Sequence, residues 1–122
     1  RDSGGDEPRV RCEGYNWWQI KSVRKITDEV FGEAEGRHAT PSEVSLTYYG
    51  YPDDAARVKK NKLSPKRAPQ GPIYDAEACR RRFPDGRIDS DPSLATEEIG
   101  ERLLEAAVAE LSADYQAFLA AT

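Results

Sequence analysis

The sequence predicts an α/β chain, and three observations carry that prediction. Arg9 to Trp18 alternates loosely and ends in large aromatic residues, as a strand running into a loop does. Two stretches with helix-start chemistry and helical apolar spacing follow it. The last quarter of the chain reads as one amphipathic helix, the kind of element that must bury its apolar face against another layer.

Size and charge narrow the classes further. The chain has 122 residues, 38% hydrophobic and 33% charged, enough for one domain with a modest core. A formal net charge of −4 argues against a nucleic-acid partner, which selects for basic surfaces. No apolar run approaches the roughly 18–20 residues that span a bilayer, so no membrane partner is expected. Cys12 and Cys79 match neither a CxxC pair nor a zinc-ligand spacing and read as reduced thiols of a cytoplasmic protein. The chain begins at Arg1 and contains no methionine, which predicts a processed, truncated or cleaved polypeptide.

Taken in order, residues 1–8 read as a flexible lead-in. After the strand-like segment, Ser22 is expected to cap a helix whose apolar positions are Val23, Ile26, Thr27, Val30 and Phe31, with Gly32 as its left-handed stop. Thr40, Pro41 and Glu43 compose a second start: an N-cap, a proline at the first helical position and a capping-box glutamate. That short helix runs through Val44, Leu46 and Tyr48 and ends near Gly50 and Pro52. From Arg57 to Pro72 the chain is basic and proline-rich, a solvated excursion. Residues 73–82 read as a strand end and a short helix with a basic face, and 83–92 as turns. The final helix starts at Thr96 and reaches about Leu119. Its stripe comprises Ile99, Leu103, Leu104, Ala107, Val108, Leu111, Tyr115, Phe118 and Leu119.

Few residues qualify for chemistry. With one histidine and two distant cysteines the chain does not supply a typical zinc site. His38 has two readings: a surface histidine between a glycine loop and a cap, or a general acid beside a helix N-terminus. Glu43 is either a capping residue alone or a group behind that histidine. Trp17 and Trp18, adjacent on a strand, would face opposite sides, one toward the core and one toward a pocket or interface. Asp89 and Asp91 alternate like a carboxylate pair, but among turn formers.

The segment His38-Ala39-Thr40-Pro41-Ser42-Glu43-Val44-Ser45, followed by Tyr51-Pro52-Asp53, resembles the creatininase (creatinine amidohydrolase) family. His38, Ala39, Glu43 and Ser45 coincide with that family's His-Ala-Gly-Glu-x-Glu-Thr-Ser. Ser90-Asp91-Pro92-Ser93-Leu94-Ala95-Thr96-Glu97-Glu98-Ile99-Gly100 is similar to the block that introduces its last helix. With Tyr15–Trp18, the likeness covers most of residues 9–121. Ala34 stands where creatininase has a second tryptophan, Arg37 where it has an acid, and Pro41 where the motif has its first glutamate. These departures point away from creatinine itself, and the family also acts on formamides and peptide termini.

The resemblance implies a three-layer α/β/α fold, of which residues 9–122 form the carboxy-terminal part. It implies divalent metal ions (Zn, Mn or Fe) in the intact protein, with no metal ligand in this chain, because the amino-terminal metal-binding part is absent. In that reading His38 and Glu43 are catalytic, and Trp18, or Trp17 with a one-residue shift, binds substrate. The intact protein hydrolyses amide or cyclic-amide C–N bonds of a small molecule as a cytoplasmic homo-oligomer. The chain alone is inactive and needs the missing half or an equivalent chain. The alternative is a non-catalytic module that packs its C-terminal helix on a partner.

Overall fold

Thr96 starts the dominant element. Its side chain accepts a hydrogen bond from the Ile99 N–H at 3.2 Å, and the helix it caps, α5, runs Glu97–Ala120. The computed structural model in which it is seen describes residues 10–58 and 62–121. Among these residues four shorter α-helices precede it: α1 (Lys21–Val30), α2 (Pro41–Gly50), α3 (Pro52–Ala55) and α4 (Ala76–Arg82).

Helix α2 lies tightly on α5 because two small residues meet there. A Cβ on Gly100 would stand 2.0 Å from the Ser45 carbonyl oxygen, so only glycine admits this approach. The Ser45 side chain, fully buried, completes the joint. Its hydroxyl donates to the Pro41 carbonyl at 2.6 Å and accepts the Thr96 N–H at 3.1 Å. One hydroxyl thus serves the first turn of α2 and the entry to α5 together, where a lost partner would leave a buried polar group unpaired.

Apolar packing continues on both sides of the joint. Ile20, Val23, Leu103 and Ala107 form one cluster, flanked by Trp17, Ile26, Leu46, Ile99 and Leu111. Tyr48, Ala55 and Ala95, with Val44, form another. The stripe expected along α5 is divided by this packing: Leu103 is fully buried, whereas Val108 is 56% exposed and Tyr115 59% exposed.

Helix α1 begins differently from the expectation. Its N-cap position is Ile20, which the core draws in, and Ser22 lies inside the first turn. The free amides are capped from another helix. Glu110 of α5 accepts the Ser22 N–H at 2.7 Å and the Lys21 N–H at 3.2 Å, while the Ser22 hydroxyl donates to the Ala106 carbonyl at 3.2 Å. A carboxylate there also meets the positive end of the helix dipole. These hydrogen bonds to Ser22 and Lys21 hold the Glu110 carboxyl below its ordinary value. Gly32 does follow the helix with a positive φ of 52°.

The strand expected over 9–18 and the strand end expected at the start of 73–82 are corrected, whereas the short helix with Arg80, Arg81 and Arg82 in its last turn is present as α4. Arg9 lies outside the described residues; residues 10–16 are irregular, and Trp17–Gln19 form a 3-10 turn closed by the Gln19 N–H on the Asn16 carbonyl at 2.9 Å. Residues 73–75 are irregular, and Asp75 caps α4. A strand needs a neighbour to pair with, and neither segment has one among the described residues. Those residues contain a single isolated bridge, His38 with Ile88, and no sheet. Nor is any helix among them long and apolar enough to cross a membrane.

The basic excursion is partly pinned rather than solvated throughout. Ala68 is buried and donates its N–H to the Ser90 carbonyl at 2.9 Å. Arg87, 3% exposed, holds the Pro65 and Lys66 carbonyls at 2.9 and 2.8 Å and pairs with Asp85. Residues 59–61 of that run lie outside the described residues.

Two outcomes are expected. Gly100→Ala gains the ~1 kcal/mol that alanine normally adds to a helix interior and loses more by overpacking, roughly 2–3 kcal/mol, so chemical denaturation should report a net loss. Glu110 contributes stability above its ordinary value of 4.5. That contribution disappears as pH falls through its lower folded value. Glu110→Gln should therefore flatten the acid limb of a stability-against-pH curve, and an unchanged limb would exclude this cap.

Candidate active site

A cavity of about 870 Å³ opens between the α1 side of the molecule and the N-terminus of α2. Its lining brings together Trp18, His38 and Glu43 with Glu35, Arg37 and Arg67.

The loop that delivers His38 is fixed through its backbone. Gly36 adopts φ 63° and ψ −147°, a region essentially reserved for glycine. Its missing side chain also matters, because a Cβ there would stand 2.3 Å from the Asp89 carbonyl carbon. The Arg37 and His38 N–H groups both donate to the Ile88 carbonyl, at 2.9 and 3.3 Å, and the Ile88 N–H returns to the His38 carbonyl at 3.3 Å. The Ser90 hydroxyl adds a second donor to that carbonyl at 2.5 Å. Ala39 then turns through a left-handed φ of 54°, a strained value for a residue with a side chain. With the main chain held this way, the His38 imidazole is exposed and has no hydrogen-bond partner among the described residues.

Glu43 occupies the capping box predicted for it. Its N–H donates to Thr40 Oγ1 at 3.2 Å, and its Oε2 accepts the Thr40 N–H at 3.2 Å and the Thr40 hydroxyl at 3.0 Å. The box engages Oε2 alone, so Oε1 has no hydrogen bond among the described residues. Helix α2 begins at this cavity wall, and the positive end of its dipole favours negative charge there.

The two tryptophans separate, though not by strand alternation. On their 3-10 turn the rings meet edge to face, with centroids 6.0 Å apart and planes at 85°. Trp18, 51% exposed, stands at the cavity wall. Trp17 instead lines an apolar groove with Leu46, Leu104, Val108 and Leu111. Asp89 and Asp91 do not act as a pair. Asp91 caps the 3-10 turn Pro92–Leu94, while Asp89 accepts Arg67 at 2.7 Å. Arg67 also reaches Glu33 at 3.0 Å, and its hydrogen bonds to Asp89 and then Glu33 raise its already high pKa.

The sequence reading missed Glu35. Its Oε1 accepts the Ser42 hydroxyl in a close hydrogen bond, and its Oε2 is buried with no hydrogen-bond partner among the described residues. Burial pushes this carboxyl above its ordinary value; hydrogen bonds from Ser42 and Thr40 oppose that, and the Glu43 charge adds to it. Within Gly-Glu-Ala-Glu-Gly nothing marks the second glutamate, because its burial arises only when α2 folds back over the preceding turn.

Among the described residues no group of three or more His, Cys, Asp or Glu is able to hold a metal ion, so these residues do not fit a divalent ion by themselves. What they assemble is a histidine held by its main chain, a helix N-terminus and two carboxyls beside an aromatic wall. This combination is suited to proton transfer and to stabilising negative charge. The family model described as Creatininase: Creatinine amidohydrolase matches residues 1–115. No curated protein matches the chain.

Proposed function

The chain belongs to the creatininase family, and from that premise we propose that it carries the proton-transfer side of an amide-hydrolase active site, centred on His38. The family implies a metal-dependent amidohydrolase kind of function. The observation that carries the reading is the joint placement of His38, Glu43 and Trp18 on one cavity at the N-terminus of α2. A histidine whose backbone is fixed and whose ring is free is suited to give its proton to a leaving nitrogen as the C–N bond breaks. The positive end of the α2 dipole favours the negative charge of a tetrahedral intermediate, and Glu43, oriented by its capping box, lines the same cavity as the histidine. Trp18 offers a flat apolar wall to a small amide substrate.

We assign the divalent ions of the family (Zn, Mn or Fe) to ligands in an amino-terminal part or an equivalent chain. The sequence holds one histidine, too few for the family's Glu-x-His and His-x-Glu ligand motifs. In the same reading this helical segment joins a three-layer α/β/α whole, a cytoplasmic homo-oligomer, and is inactive alone. A second reading, a module that binds a partner through α5, draws support from the apolar groove at Trp17, Leu104 and Val108.

In the intact enzyme, His38→Ala should lower turnover by roughly 10²–10⁴-fold with metal content preserved. Unchanged turnover would return His38 to a surface loop residue. By calorimetry this chain alone should bind no pair of divalent ions tightly; two tight ions would overturn the ligand assignment.

A further inference from the structure

A continuous line of oxygen atoms connects the two carboxyls of the cavity. It runs from Glu35 Oε1 to Ser42 Oγ, on to Thr40 Oγ1 at 3.1 Å, and from there to Glu43 Oε2 at 3.0 Å. Three oxygen–oxygen links need three protons, and the two hydroxyls bring two. With both carboxyls ionised, Ser42 donates to Glu35 and Thr40 donates to Glu43. The middle link is then lone pair against lone pair, between side chains of residues 8% and 1% exposed. The Glu43 N–H does not relieve it, since it only adds a donor to Thr40 Oγ1. A proton on Glu35 does. Glu35 then donates to Ser42, Ser42 to Thr40, and Thr40 to an ionised Glu43, and every link is filled.

We propose that this line holds one proton more than its hydroxyls supply, lodged on Glu35, and passes it to Glu43. In the transfer the Glu35 proton moves to Ser42 Oγ, the Ser42 proton to Thr40 Oγ1 and the Thr40 proton to Glu43 Oε2. Only O–H bonds break and form; Glu35 ends as the carboxylate and Glu43 as the acid. On the reading of His38 and Glu43 given above, Glu35 is a positioning residue that keeps a proton in reserve behind the group next to His38.

The charges around Glu35 leave room for that proton. Arg24 and Asp28 face the cavity from α1, Glu33 comes from the same 3-10 turn, and Arg37 and His38 come from the following loop. Arg67 also lines the cavity but is committed to Asp89 and Glu33. No cation forms an ion pair with Glu35 among the described residues, and the Glu43 charge and burial both work against its ionisation.

The test is a carbon-detected magnetic-resonance titration of the chain with glutamate labelled at Cδ. Glu35 should titrate above 4.5, and the Glu43 curve should show a second step at the pH where Glu35 ionises. Glu35→Gln should remove that second step. Ser42→Ala keeps both charges but cuts the line, and should shrink the step. A Glu35 midpoint at or below 4.5 overturns the stored proton. A Glu43 curve unaltered in both variants overturns the transfer. The readout involves no turnover, so failure of the relay and failure of the hydrolase reading are distinguishable.

Discussion

Where Ser45 of α2 meets Gly100 of α5, two helices approach more closely than any side chain at position 100 would allow. The α2 end of the candidate site depends on this joint. The Ser45 hydroxyl ties the Pro41 carbonyl and the Thr96 amide to one atom, so the first turn of α2 and the start of α5 are fixed together. Glu43 and Thr40 inherit their placement from that first turn. The cavity therefore owes its helix N-terminus to a contact among groups outside its own lining.

The other wall is set by a different device. Around His38 the main chain is held by the Ile88 bridge, the Ser90 hydroxyl and the close passage of Gly36 over Asp89. Each of these bonds engages backbone and leaves the imidazole uncommitted. The strained φ of Ala39 lies between the bridge and the α2 cap, the one step where both constraints must be met. Strain of this kind persists when its surroundings over-determine it, and here they do so from both sides.

Local chemistry was legible in the sequence; chemistry arriving from afar was not. The caps at Thr40 and Thr96 depend on residues within one turn of themselves, and both appear as read. The cap of α1 depends on Glu110, distant in sequence, so the nearby serine was the natural but mistaken choice. Paired tryptophans after an alternating run suggest a strand, yet pairing needs a neighbour that no local pattern supplies. His38 and Glu43 were found because their block resembles a family motif. Glu35 has no motif, and its significance comes from burial beneath a helix that begins six residues later at Pro41.

The tryptophan turn has a mechanical consequence. Trp17 and Trp18 share three residues of chain and an edge-to-face contact, yet one ring belongs to the apolar groove of α5 and the other to the cavity of His38. The turn is short and the rings abut, so a wall of the groove and a wall of the cavity are built on one piece of chain and lean on each other. Trimming either ring takes away the edge or face against which the other rests.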